Sequence, residues 1–331
     1  MKAIIQRPDV VLIDGTNFFF KGSWGGNELT HGGRSVKELY SFTLSLCSLM
    51  KTVGEALYVI CWDGGHRERT ELSEAAVRTG LIPKAYKQER REARALTDDE
   101  KSRSDFLWQL EKARELVSCT VVRQNLMEGE EADDLVGGYC KRFVDEGKDV
   151  LIVTSDKDYY QLLWPGVRIY NSAKKAYLDS SYLRSEYGLD NADQWVDVGA
   201  LAGETGPSSD TIYGCPGFGY KTAAKFVSQY GSLENLYSRA EGLFKDYIGK
   251  NGLESFSAAV KEGKYATKYK KEAMVLAYRP VVDLAWKLKK MHTDLNPPLP
   301  EADPDWRRLE KFLSGLDFHL GQNSQSLLLG I

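Results

Sequence analysis

The sequence predicts an α/β fold, a mostly parallel central sheet flanked by helices. Two observations carry the prediction. Short apolar runs rich in Val, Ile and Leu alternate along the first half of the chain with longer stretches that read as helix, and such alternation builds parallel sheets covered on both faces. Three of those runs also end in aspartate, and a parallel sheet binds its ligands outside the carboxyl ends of its strands.

The elements follow in order. "DVVLID" is too short for a helix and reads as a buried strand ending at Asp14; "ALYVICWD" repeats the pattern and ends at Asp63. Between them "SVKELYSFTLSLCSLMKTV" reads as a helix, and "EKSRSDFLWQLEKARELV" reads as another. "CTVVRQ" (119–124) is expected to be a further strand. "GEEADDLVGGYCKRF", from Gly129, places Val136, Tyr139, Cys140 and Phe143 on one helical stripe. "DVLIVTSDKD" closes the alternation and carries Asp156 and Asp158 past its end.

The helix expected from Gly129 crowds Glu130, Glu131, Asp133 and Asp134 into its first turn. One or two acids suit the positive end of a helix dipole; four also repel one another. Glu131 and Asp134 lie about 60° apart around the axis, so they can face one cation. A lone aspartate at a strand end is an ordinary turn residue. Three strand-end acids joined by an acidic helix point instead to a shared cation site. A set of carboxylates without histidine selects hard cations, Mg²⁺ or Mn²⁺, and the metal is expected to offset the repulsion.

The formal net charge of -3 gives no global basic field, so any nucleic-acid contact has to come from local patches. Five cysteines and four histidines are scattered without metal-ligand spacing, which argues against zinc or a disulfide framework and for a reducing, cytoplasmic setting. "MKAIIQRPDV" holds too short an apolar run for a signal peptide, and no segment reaches membrane-spanning length.

After residue 190 strand patterning stops. "DNADQWVDVGALAGETGPSSDTIYGCPGFGYKTAAKFVSQYGSLENLY" reads as helix, glycine-rich hairpin and helix. Gly214, Gly217 and Gly219 allow backbone N–H groups to face outward just before a helix that carries Lys221 and Lys225, a combination that binds phosphate. By pattern alone an ordinary helix–turn–helix connection fits as well. A proline-rich connector, "NPPLPEADPDW", leads to a last helix, "WRRLEKFLSGLDF".

Taken together, "VLIDGTN", "CWDGG" with "RTEL", "AYKQER", "GEEADDL", "VTSDKD", "GCPGFGYKTAAKF", "YGSLENLY" and "DWRRLEKFLSGLDF" resemble, in order and spacing, the 5′-nucleases: flap endonucleases and phage or bacterial 5′→3′ exonucleases. The resemblance implies a PIN-like nuclease core over 1–190 with a helical arch near 80–118, a helix–hairpin–helix duplex-binding region over 191–290, and a tail, 291–331, packed back on the core. By motif position it implies a first metal cluster of Asp14, Asp63, Glu131, Asp133 and Asp134, and a second of Asp156, Asp158, Glu204 and Asp210. Two Mg²⁺ or Mn²⁺ ions are expected, with a K⁺ ion also admitted at the hairpin. Lys87 and Arg90 would hold the scissile phosphate, Tyr86 would stack on a base, and Lys21 matches a basic position near the cleaved strand. Gly214, Gly217, Gly219, Lys221 and Lys225 would grip duplex DNA. Without the resemblance, "KQERREAR" reads as a solvated helix face of mixed charge.

The implied activity is hydrolysis at 5′ ends or 5′ flaps of DNA in replication or repair, by a monomer of phage or bacterial origin, acting on flaps, overhangs, nicks or RNA–DNA hybrids and not on membranes. The sequence departs from the family pattern at "GETGPSSD": glutamate replaces an aspartate at 204, and the loop before Asp210 is longer. That departure keeps a catalytically silent DNA-binding member of the same fold as an alternative. A PIN-type ribonuclease shares the acidic sheet edge but would lack the hairpin region. A haloacid-dehalogenase-like phosphatase would need a second aspartate where "DGTN" has Asn17.

Overall fold

A computed structural model describes residues 7–20, 29–97, 100–171 and 173–331. The strands are β1 (Val10–Asp14), β2 (Thr30–His31), β3 (Arg34–Ser35), β4 (Leu57–Trp62), β5 (Arg123–Leu126), β6 (Val150–Thr154), β7 (Val167–Asn171) and β8 (Ala176–Leu178). Six of them form one sheet in the order β5-β4-β1-β6-β7-β8. All its pairings are parallel except β7 with β8.

Residues alternate between the two covered faces of this sheet, as a period of two requires. Val10, Leu12, Val59, Cys61, Val150 and Ile152 join one core with Leu135, Val136, Tyr139 and Trp195. Val11, Ile13, Tyr58, Ile60, Leu151 and Val153 join the other with Leu39, Phe42, Leu46, Leu309, Phe312 and Leu328. The chain's last helices therefore contribute side chains to the core under β1.

The strand expected at 119–124 begins only at Arg123. The stretch before it is used elsewhere: Val121 N–H donates to the Leu328 carbonyl at 2.8 Å, and the Cys119 carbonyl accepts from Asp305 N–H at 3.1 Å. Backbone groups that would extend the sheet hold the tail instead. The antiparallel β7–β8 pair was not anticipated.

Helices Gln88–Thr97 and Glu100–Val117 occupy the stretch expected to form an arch. Beyond Asp193 the chain is helical: Gln194–Ala202, Tyr220–Tyr230, Leu233–Asn251, Leu253–Lys261, Lys270–Ala277 and Arg279–Lys289. The tail then crosses the acidic helix, where a Cβ on Gly138 would stand 2.3 Å from the Leu295 carbonyl oxygen; only glycine permits that crossing. No helix among the described residues is long and apolar enough to cross a membrane.

Candidate active site

β1 ends at Asp14 and a helix begins at once with Gly15, whose added Cβ would lie 2.7 Å from the Cys61 carbonyl oxygen. This tight turn leaves Asp14 buried at the sheet edge. Its carboxylate accepts Asn17 N–H and the Tyr159 hydroxyl, each at 3.0 Å. Burial and the neighbouring Asp63 push the Asp14 carboxyl up to about 7. Asp63 follows β4 in a loop that needs glycine: a Cβ on Gly64 would meet the Met127 carbonyl oxygen at 1.9 Å. Gly64 N–H donates to the Glu130 carbonyl at 2.9 Å, and Asp63 Oδ1 accepts Ala132 N–H at 2.9 Å.

That last bond fixes the start of the acidic helix. It spans Ala132–Asp145, with Glu131 as its extended N-cap residue, so the expected start at Gly129 is three residues early. Gly129 has a φ of 89°, which a helix cannot accept. Glu130 accordingly lies outside the first turn.

Where metal was expected to offset the acid repulsion, Asp134 also meets a protein cation, while its carboxylate stays within ligand reach of Glu131 and Asp133. Arg69, on helix Arg67–Arg78, bonds Asp134 twice, Nη1 to Oδ2 at 2.8 Å and Nη2 to Oδ1 at 2.9 Å, and Nη1 also pairs with Glu131. Asp134 Oδ1 further accepts His292 N–H at 2.8 Å. Both Arg69 and Asp134 are buried. Asp134 thus holds a guanidinium and is not among the residues lining the adjoining cavity.

The other expected ligands, Asp14, Asp63, Glu131, Asp133, Asp156, Asp158, Glu204 and Asp210, line one cavity of about 480 Å³ together with Lys87 and Arg90. Asp133 Oδ1 is buried and accepts no hydrogen bond, with Arg69 Nη1 at 3.5 Å. Enclosure raises the Asp133 carboxyl well above its usual range, Arg69 opposing and Asp134 and Glu131 adding. An orphaned carboxylate oxygen beside Glu131 fits a hard divalent cation. Glu131 itself is held low: burial would raise it, but Lys87 and Arg69 outweigh that.

Lys87 has a φ of 56°, in the left-handed region that non-glycine residues rarely adopt. Its N–H donates to the Asp210 carbonyl at 2.7 Å, and its ammonium pairs with Glu131. Arg90 Nη1 lies 3.4 Å from Asp210 Oδ1. Tyr86 corrects another expectation. It is 3% exposed, and its hydroxyl lies 3.1 Å from Glu131 Oε2 and 3.3 Å from Asp210 Oδ2. A ring so enclosed braces two carboxylates and has no face for a base.

The expected second cluster divides. Asp210 joins Tyr86 and Arg90 on the Glu131 side. Glu204 turns toward Asp158, and both accept from Lys289 Nζ at 2.7 Å. The longer loop is pinned by a bridge between Glu204 and Ile212 and by Gly206 N–H on Glu89 Oε2 at 2.7 Å. Lys21 lies outside the described residues.

Residues 9–188 match the N-terminal resolvase-like domain of 5′-3′ exonucleases, and residues 191–310 match their C-terminal SAM fold. The chain belongs to the 5′-3′ exonuclease family. Among its relatives, a 5′-3′ exonuclease of Halalkalibacterium halodurans is 31% identical, over 73% of this chain and 77% of that protein. The thermostable DNA polymerase I of Thermus aquaticus is also 31% identical, over 93% of this chain but 32% of the polymerase, so the chain spans about a third of that relative. The solved structure of T5 5′-exonuclease with divalent metal ions (zinc) bound has a TM-score of 0.62 at 19% identity, covering 93% of this chain and 97% of that one; it shares the fold.

In this 5′-3′ exonuclease family member the hairpin glycines differ in role. Gly214 does not face outward: an added Cβ would lie 2.4 Å from Gly203 N, so it permits close packing at the end of Gln194–Ala202. Gly217 has a φ of 77° and makes the turn. Gly219 is the exposed N-cap of Tyr220–Tyr230 and offers no capping side chain, leaving first-turn N–H groups for an anion. Lys221 and Lys225 are exposed one helical turn apart. Lys271 bonds the Gly217 carbonyl, where the K⁺ ion was expected, and stands 4.6 Å over the Phe218 ring.

Arg69 and Lys289 escaped the sequence reading. A signal existed for both. Arg69 shares a buried stripe with Ser73 and Ala76, and Lys289 shares one with Val282 and Ala285. A cation on the apolar face of a helix requires a buried acid partner.

Proposed function

We propose that this chain hydrolyses phosphodiester bonds at 5′ ends or 5′ flaps of DNA with Mg²⁺ or Mn²⁺ held by Asp14, Asp63, Glu131 and Asp133. The observation that carries the reading is the gathering of eight carboxylates, with Lys87 and Arg90, on one cavity at the sheet's carboxyl edge. When bound, the cation activates a water and neutralises phosphate charge.

The chain's own residues do the rest. Lys87 and Arg90 offset charge that builds on the phosphoryl oxygens. Tyr86 and Arg69 fix Glu131 from two sides, and Tyr159 fixes Asp14. The Gly219 helix end, Lys221 and Lys225 hold duplex phosphates without reading sequence. Arg90 and Arg94 line the cavity beside Phe20 and receive the 5′ strand. We place the protein in replication or repair, in the cytoplasm and as a monomer, with RNA–DNA hybrids among its substrates. The five cysteines, all free and buried, support a reducing setting.

The test is an end-labelled 5′-flap duplex incubated with Mg²⁺, with Mn²⁺ or with chelator. Products released from the 5′ end only when a divalent ion is present support the reading. Tight DNA binding with no cleavage under either ion would turn it into the DNA-holding alternative, whose support is the Glu204–Lys289 pair. The matched second domain counts against the PIN-type ribonuclease.

A further inference from the structure

Asp158 and Glu204 belong to the half of the cavity where the family resemblance puts a second divalent ion, and they are already bridged. Lys289, at the end of Arg279–Lys289, donates from Nζ to Asp158 Oδ2 and to Glu204 Oε2, each at 2.7 Å, from a side chain only 3% exposed.

The position is built into the fold. The lysine stem runs past Gly199, where an added Cβ would come within 3.6 Å of its Cγ and Cδ. The Lys289 carbonyl accepts Gln161 Nε2 at 3.0 Å, and Gln161 Oε1 accepts Met291 N–H at 3.0 Å. Gln161 lies in the short helix Lys157–Leu162 that also carries Asp158. Ammonium and carboxylate are therefore mounted on clamped backbone. A divalent ion would need the same two carboxylates at about 2.1 Å, and its charge would be opposed by an ammonium that is only 3% exposed and bonded to both. Glu204, where the chain departs from the family's aspartate, is one of the two acids the lysine holds.

We propose that Lys289 fills the second cation position, so that the chain retains a single divalent ion, at Asp14, Asp63, Glu131 and Asp133. This rests on the metal-dependent reading above. Lys289 acts as a fixed positive charge that positions Asp158 and Glu204.

Calorimetric titration of the full chain with Mn²⁺, with bound ion counted by electron paramagnetic resonance, tests it in the wild type and in Lys289→Met. The wild type should bind one ion. Lys289→Met should gain a second binding step, tightened on the order of tenfold or more over any weak step in the wild type. Lys289→Arg should stay at one. Two wild-type sites of similar affinity, or a folded Lys289→Met that still binds one ion, would overturn the proposal while leaving metal-dependent cleavage standing. No bound ion in the wild type would instead remove the reading on which it rests. If Lys289→Met does not fold, the wild-type count decides alone.

Discussion

Arg69 grips both carboxylate oxygens of Asp134, at 2.8 and 2.9 Å, from a helix that starts only four residues after Asp63. The guanidinium is buried, and it also holds Glu131. Removing one partner of a buried pair strands the other's charge, which costs about 3–5 kcal/mol. Arg69→Ala should lower unfolding free energy by about that amount, measured by urea denaturation. Arg69→Lys should recover only part, because a point charge cannot make the two-pronged contact.

Asp63 caps the acidic helix and lines the cavity, and Asp156 lines it from past the end of β6. Asp63→Ala and Asp156→Ala should each lower flap cleavage by about a hundredfold or more. Affinity for the same DNA, measured in a chelator, should stay close to wild type. An active Asp63→Ala protein would remove Asp63 from the proposed metal ligands.

Tyr86→Phe separates bracing from stacking. The variant keeps the ring and loses the hydroxyl shared by Glu131 and Asp210. Stability should fall by about 1 kcal/mol and kcat should drop, while KM for DNA holds. A raised KM with unchanged kcat would mean that Tyr86 meets substrate.

Stability of the metal-free protein should depend on pH through Asp14. Its carboxyl titrates near 3.8 when free and at about 7 when folded. Between those values the folded state carries the extra proton, so stability falls as pH rises, by up to about 1.4 kcal/mol per pH unit from Asp14 and as much again from Asp156, whose carboxyl burial also raises to about 7; both contributions level off above about 7. Saturating Mn²⁺ should oppose the fall, because the ion binds the deprotonated form. Thermal unfolding from pH 4 to 8, with and without Mn²⁺, reads this directly.

Lys221→Ala and Lys225→Ala should weaken duplex binding alike for unrelated sequences. Each should reduce the slope of log affinity against log salt by about 1. An unchanged slope would move the duplex elsewhere on the surface.

Much of this site can be read in the sequence because its acids follow periodic elements. Asp14 and Asp63 end or follow strands whose apolar runs identify them, and local backbone then carries the carboxylates to one edge. The parts that escaped depend on contacts between distant segments. Arg69 meets Asp134 across 65 positions, and Lys289 meets Asp158 across 131. Nothing local distinguishes these cations from surface ones except a place on an apolar stripe. Residues 119–122 misled for a related reason: a β-branched stretch looks like strand whether its amides pair with a sheet or with a returning tail. Stacking by Tyr86 was implied only by the resemblance of "AYKQER" to the family motif, which does not show that its hydroxyl is held inward.

The bend at Lys87 has an architectural consequence. Its strained backbone, at φ 56°, is secured by the carbonyl of Asp210, a residue of the downstream matched domain. The upstream module thus borrows the shape of its cavity-lining lysine from its neighbour. Cut apart near residue 190, the first half would keep its acids in sequence yet lose the peg that aims this side chain, so the two modules are expected to work only as one unit.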